Sequence, residues 1–426
     1  MMKSALLNDW CGWLILVVTY MIVPCFGSLR RRAHLIPVIW ILLTAHHAVA
    51  IANTYLFSVP LASVDARNFY RWSEIVAAFN MTEHGIGSAT FVNGLAMIFR
   101  LVGPSHFLAH QLSIIAYLFS CLVLIRIMDL QGEGRYAGIV LLVYGLWPAF
   151  LMLTSVPMRE AYQTLFFMLA CYMGLKFQLL HTGKIAAVIG LCASAMLMGL
   201  LHKGLIVYAM FLIPLMILWP MPNPGCPGAS RKTLKLWMAA MTLFLLVAVP
   251  VVYLSLRYEI KGLHVVTSLA KGEIVEFTMD YREVKPYEDM PRTYYNLDLD
   301  MGSPLRFAYS SAMILAYYLF SPFPNQVENR LDLLVGLEAA VRFVLLAIIL
   351  ARWWSLRGRA RSVLTLWLVI YFSMAFIWAM GTITFGTALR HHQVQNWILI
   401  MISVPILSQG VVRRLPFCYA SRCQRA

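Results

Sequence analysis

The sequence predicts an all-α, polytopic helical membrane protein with about 11 transmembrane helices, within a range of about 10–13. Three observations predict it. Of 426 residues, 61% are hydrophobic and only 12% charged, and a mean hydropathy of +0.73 does not suit a soluble globular chain. Apolar runs of roughly twenty residues recur along the chain, and in hydrocarbon such runs must be helices because backbone groups there can be satisfied only internally. The 34 Lys and Arg fall mainly in short segments between the runs, whereas nine of the 19 Asp and Glu lie within residues 257–304.

That distribution decides what the net charge of +15 means. Basic residues confined to short inter-helix segments are orientation signals, so nucleic acid is excluded as a partner. The eight cysteines (11, 25, 121, 171, 192, 226, 418 and 423) show no metal-ligand spacing. They read as small buried hydrophobes. The first apolar run, Trp10–Gly27, lacks a small-residue cleavage site and precedes Arg30, Arg31 and Arg32. Cys25 sits in a loose likeness of a lipoprotein box, but Pro24 is a poor residue there, so the run is read as a retained span.

Basic segments placed in the cytoplasm give one path through the membrane. Span 1 (about 10–27) runs inward and span 2 (about 35–57) returns outward. Residues 58–104 then form an outer loop whose end, about 87–103, is short and amphipathic and reads as an interfacial helix. Span 3 (about 105–127) goes in, with Arg126 and Arg135 at its cytoplasmic turn. Spans 4 and 5 use the runs Val140–Thr154 and Ala161–Phe177, broken by Pro157. Spans 6 (about 185–200) and 7 (about 204–220) meet at a tip Leu201–Gly204, and span 8 (about 237–256) leads to the long outer loop 257–304. A full crossing by residues 305–324 would strand Arg352, Arg357, Arg359 and Arg361 outside. That stretch is therefore read as re-entrant or interfacial, turning at Ser321–Pro324. Spans 9 (about 333–351), 10 (about 363–381) and 11 (about 394–411) complete a single integral membrane domain, 1–426.

This path sends a set of charged and polar groups to one face. Arg159 and Glu160 occupy the tip between spans 4 and 5, at a membrane edge where ionisable groups are rarely idle. Arg159 presents a fixed fork of donors that matches phosphate or carboxylate. Neighbours on a helix diverge by roughly 100°, which argues against a mutual Arg159–Glu160 pair. Asp65, at the start of DARNFYRW with Arg67, is a candidate base for a sugar hydroxyl, or else the cap of a short helix through Tyr70 and Glu74. His202 and Lys203 form another tip, where Lys203 can bind phosphate as a point charge. Arg390 can clamp an anionic leaving group, and His391 and His392 can move protons or bond hydroxyls. Adjacent histidines without a third ligand are a poor metal site. His46 and His47, inside span 2, are expected to make interhelical hydrogen bonds.

The order of Asp65 and Tyr70, Arg159, the tip Leu201-His202-Lys203-Gly204, the turn Ser321-Pro322-Phe323-Pro324 and the late Gly386–His392 resembles the Wzy-type (EpsG-like) polysaccharide repeat-unit polymerases. More distantly it is similar to the C-type (GT-C) membrane glycosyltransferases. The span before residue 35 is extra relative to the latter, and Glu160 stands where such polymerases often carry a neutral residue. The resemblance implies a bacterial inner-membrane enzyme with its active site facing the periplasm. Its substrates would be undecaprenyl-diphosphate-linked sugar donors and acceptors, and polysaccharide export or chain-length proteins would be its partners. Asp65 or Glu160 would serve as base. Arg159, Arg390, Lys203, Arg67, His202, His391 and His392 would hold diphosphate and sugar. No cofactor is implied, and a divalent metal stays open. Two other functions stay open as well: transfer from a polyprenyl-phosphate sugar, and flipping of a lipid-linked oligosaccharide.

Overall fold

The computed structural model describes residues 9–219 and 293–411, apart from positions 59, 61, 62, 181, 296, 301 and 302. Span 8, the basic residues 231–235 and most of the acidic segment 257–304 lie outside the described residues. What is described is helical, with no strand and one isolated antiparallel bridge between Tyr294 and Thr384. Backbone contacts divide the chain into two units, Met1–His202 with Leu407–Ala426, and Lys203–Ile406.

The first unit begins with α1 (Trp10–Ile22), a 3-10 turn at Val23–Cys25 and the single turn α2 (Gly27–Arg30). Next come α3 (Leu35–Ile51), which runs on into a π-helical turn at Ala52–Leu56, then α4 (Ser63–Ala78) and α5 (Ser88–Val102). It continues through α6 (His106–Leu130), α7 (Ala137–Leu146), α8 (Pro148–Thr154), α9 (Arg159–Leu179) and α10 (Lys184–Leu200). The second unit holds α11 (Lys203–Leu218), α12 (Pro304–Phe320), α13 (Arg330–Ser355), α14 (Gly358–Gly381) and most of α15 (Phe385–Val411).

Among the described residues, four helices are long and apolar enough to cross a membrane: Leu35–Leu56, His106–Leu130, Arg330–Ser355 and Gly358–Gly381. A fifth candidate is the pair Gly134–Leu146 and Pro148–Thr154, bent by 70°. Several outward faces are apolar at helical spacing. On α1 they are Trp10, Leu14, Val17, Val18 and Met21, and on α13 Leu333, Leu337, Val341 and Val344. Water would penalise such stripes, while lipid tails accept them.

Three stretches depart from the sequence expectation. Residues 58–104 carry, besides the helix expected near 87–103, the helix through Tyr70 and Glu74 that was the alternative reading of Asp65. They form two helices, α4 and α5, whose Val76, Val92 and Ala96 bury one another. The run before Arg159 is broken at Pro148 as well as near Pro157, because proline cannot donate into the preceding turn but starts a new helix readily. Helix α15 begins at Phe385 rather than near residue 394, so it absorbs Arg390, His391 and His392.

Helix α12 ends beside the middle of α13. The Arg342 guanidinium donates to the Leu319 carbonyl, and the Phe320 and Phe343 rings meet edge-on at 5.5 Å. The Pro322 carbonyl lies 3.6 Å from where a Cβ on Gly336 would stand. Residues 321–329 therefore return along α13 to its start. There Asn329 accepts from the Asp332 amide at 2.9 Å, and Asp332 accepts from the Glu328 amide at 3.1 Å.

Candidate functional site

Helix ends of the first unit surround a cleft of about 540 Å³, within the range typical of small-molecule sites. Asp9 stands before α1, Asn53, Thr54 and Tyr55 end α3, Ser105 caps α6, and Pro157 precedes α9; all line the cleft. Helix α4 forms a further wall. Its Arg67, Tyr70 and Glu74 fall at i, i+3 and i+7, and so share one face.

Asp9 is only 5% exposed. Its carboxylate accepts from the Tyr55 hydroxyl at 2.8 Å and from the Ser105 hydroxyl. Ser105 in turn accepts from the Leu108 amide at 3.0 Å, as an N-cap should. The π turn presents Asn53, Thr54 and Tyr55 to the cleft, a use typical of such turns at functional sites. Gly103, at φ +87°, ends α5 and lets the chain reverse into Pro104 and Ser105.

The histidines are held by their partners. His110 Nδ1 donates to the His106 carbonyl at 2.6 Å, so its Nε2 accepts from the Asn53 side-chain amide at 2.9 Å. His106 stacks on Tyr70 with ring centroids 3.6 Å apart. Burial, with the negative Glu74 and Asp9 nearby, pushes the Tyr70 phenol up to about 12, which keeps it a donor.

A second cluster joins three segments of the same unit. Arg159, the first residue of α9, donates from Nη1 to Ser88 Oγ at 3.0 Å and approaches the Leu201 carbonyl at 3.5 Å. Its guanidinium lies 5.8 Å from the centre of the Phe69 ring. Gly87, at φ +93°, bonds its amide to the Leu200 carbonyl at 2.9 Å, and a Cβ there would come 3.6 Å from Arg159 Nη1. His202 borders this knot, its Cα 3.9 Å from that same Cβ position.

The expected residues divide accordingly. Arg67 lines the cleft, while Asp65 does not: it sits half-buried in the first turn of α4. Glu160 is not an edge charge. It is 1% exposed, and its Oε1 lies 3.9 Å from Arg159 Nε. The divergence argument against that pair is met only by this long approach, while Arg159 Nη1 reaches Ser88 and the Leu201 carbonyl. Lys203, exposed, and Arg390, His391 and His392 belong to the second unit. His391 and His392, expected just before the last span, are buried, at 6% and 2% exposure. His391 stacks on Trp378 at 3.8 Å and bonds Thr382 at 2.8 Å, and His392 Nε2 donates to the Tyr318 carbonyl at 2.7 Å. They hold α15 against α14 and α12.

Asp9, Tyr55, Ser105, His106 and His110 escaped the sequence reading. The available signal was Asp9 directly before an apolar run and Ser105 directly before His106 and His110, one turn apart. His47 does bond Gln111 of α6 at 2.8 Å, as interhelical pairing requires. Among the described residues, no three His, Cys, Asp or Glu group as metal ligands. No family model, curated protein or solved structure matches the chain.

Proposed function

We propose that this chain is a membrane glycosyltransferase that joins undecaprenyl-diphosphate-linked oligosaccharide repeat units at the periplasmic face of a bacterial inner membrane. On this reading the chain crosses the membrane about 11 times, with residues 305–324 re-entrant. One observation carries the proposal: a polar cleft with two carboxylates, two histidines, two tyrosines and Arg67, at the ends of strongly apolar helices. Carboxylates beside aromatic rings suit sugar hydroxyls and faces, and a cleft at helix ends suits a substrate tethered to lipid.

On this reading the base is Glu74 rather than Asp65 or Glu160. Asp9 already accepts from two hydroxyls, which suits orienting a sugar more than taking its proton. Glu74 lines the same cleft and is half-buried. Arg67 would stabilise charge on the diphosphate leaving group, with Tyr70 as a neutral donor. The test replaces Glu74 by Gln in a strain without the native copy and measures surface-polysaccharide length. A general base contributes roughly 10²–10⁴-fold, so single repeat units should remain on the lipid. Long polymer at normal protein level would refute the assignment.

A second reading, a flippase for lipid-linked oligosaccharide, draws on Arg342, which is buried midway along the spanning helix α13 beside the end of α12. Broken helices and buried charges at that depth are transporter features. The two readings separate on product: a flippase mutant lacks translocated units, and a polymerase mutant accumulates them.

A further inference from the structure

The turn between α13 and α14 concentrates positive charge. Arg352 ends α13, Arg357, Arg359 and Arg361 open α14, and beyond Glu338 the sequence contains no acidic residue. Among the described residues, Arg357, Arg359 and Arg361 enter no ion pair. A helix dipole favours acids in the first turn, but that of α14 has none. Arg357 stands at its N-cap position, where a side-chain acceptor is usual and arginine has only donors. Cations gathered at the positive end of a helix repel it and one another, so the arrangement suits an anion from outside the chain.

Measured contacts hold these groups together. The Arg361 guanidinium lies 4.1 Å over the Trp353 ring, which joins the start of α14 to the end of α13. Trp353 Nε1 donates to Thr365 Oγ1 at 2.8 Å, and Thr365 donates to the Arg361 carbonyl at 2.7 Å. The residue after α11 joins from a third segment, where Trp219 Nε1 donates to Ser362 Oγ at 3.1 Å. Arg357 is exposed, whereas Arg359 is half-buried and its Nε, a donor, is buried without a partner.

The adjoining surface decides what kind of anion fits. The exposed apolar stripe Leu337, Val341 and Val344 continues along α13 through Ala347 and Ala351 to Trp354. Trp354 is 73% exposed and meets Trp353 edge-on at 5.2 Å. Tryptophans at the ends of spanning helices mark the level of lipid headgroups. The arginines therefore stand at the foot of a surface suited to acyl chains, and a phosphate that carries such chains uses both parts. Free phosphate would leave the stripe unused.

We propose that the α13–α14 turn binds an anionic phospholipid, with its phosphate held by Arg357, Arg359 and Arg361 and its acyl chains along the exposed stripe of α13. The inference needs only that α13 and α14 span a bilayer, and it is independent of the glycosyl-transfer proposal.

The test is thermal unfolding of the purified full chain in detergent at constant ionic strength. The titrants are dioctanoyl phosphatidylglycerol, dioctanoyl phosphatidylcholine and sodium phosphate. A ligand bound only by the folded state raises the midpoint as its concentration passes the dissociation constant. Phosphatidylglycerol should stabilise saturably, and the other two should not. Each arginine near an anionic lipid contributes about fivefold in affinity. Half-saturation, read from each variant's own starting midpoint, should thus rise about fivefold in Arg357→Gln and roughly 25-fold in Arg357→Gln/Arg359→Gln. Arg30→Gln/Arg31→Gln, which removes two exposed cations from the first unit, should titrate as the wild type does. The proposal is overturned if the two lipid curves coincide, if sodium phosphate stabilises equally, or if Arg357→Gln keeps the wild-type half-saturation. An equal shift in Arg30→Gln/Arg31→Gln overturns it too, since the response would then report net charge rather than this turn.

Discussion

Replacing Arg159, at the start of α9, separates the phosphate clamp expected from the sequence from the knot that ties α5, α9 and the 200–202 turn together. Arg159→Ala removes a charge-assisted bond to Ser88 at 3.0 Å, about 1.5–3 kcal/mol for a bond to a charged group. It removes a distant ring contact at 5.8 Å, about 0.5 kcal/mol. It also takes a cation from beside Glu160, which is 1% exposed. Breaking a buried pair on one side costs about 3–5 kcal/mol, but the 3.9 Å separation places this case at or below the lower bound. The expected loss is therefore about 3–5 kcal/mol, with the buried carboxylate a leading contributor. The assay is the thermal midpoint of the detergent-solubilised variant, alongside Ser88→Ala, Glu160→Gln and the Arg159→Ala/Glu160→Gln double variant. Glu160→Gln should restore part of the loss, because it removes a buried charge that Arg159→Ala leaves with one cation fewer beside it. An Arg159→Ala protein with a wild-type midpoint would refute the knot and return Arg159 to the role of a free clamp. A double variant no better than Arg159→Ala would refute the part assigned to Glu160.

Two further substitutions test the packing around the cleft and beneath it. Ser105→Ala removes both the cap of α6 and a donor to Asp9, and should cost about 1–2 kcal/mol, read as a lower midpoint; no change would mean that the cap is not formed. Gly145→Ala should destabilise by about 1–3 kcal/mol despite alanine's better helix propensity, because its Cβ would stand 2.0 Å from the Tyr117 hydroxyl and 2.7 Å from Leu42. Tyr117 is held by a 3.8 Å stack on His46, so Tyr117→Phe, which deletes the clashing atom, should recover part of the loss. An unaltered Gly145→Ala midpoint would show that α3, α6 and α7 pack less closely than described.

The helices were legible because their signals are local. Apolar length marked α3, α6, α13 and α14, and Asn329 and Ser105 mark helix starts through the side chains that cap them. The break at Pro148 was equally local, but it hid inside a run that looked continuous by hydropathy. The site was less legible, for a reason of phase. A charge at a helix end can face lipid headgroups, a cleft or a neighbouring helix, and sequence gives its depth but not its direction. Glu160, His391 and His392 had the depth of site residues and are turned inward, to 1%, 6% and 2% exposure. Arg67 had the same depth and faces the cleft. The difference rests on partners far away in sequence, Ser88 and Leu201 for Arg159 and Tyr318 for His392, which no single-segment pattern contains.

Helix α4 shows what a better reading of phase would use. Its mean character is polar, yet Ala66, Ser73 and Val76 are buried, Val76 against α5. On the adjacent strip Arg67, Tyr70 and Glu74 line the cleft, Arg67 at its exposed edge, while Arg71 and Trp72 are exposed outside it. A helix needs its small and apolar residues to dock, so the charged residues that follow the docking strip at a fixed offset are held in one direction by that docking. Arg67 and Glu74 are thus positioned by Val76 and Ala66, whereas Asp65, in the first turn, does not line the cleft. That is the physical ground on which Glu74 is proposed as the base. In the proposed reaction a base would have to keep its direction while a sugar hydroxyl approaches, and the phase of α4 gives Glu74 a fixed direction into the cleft.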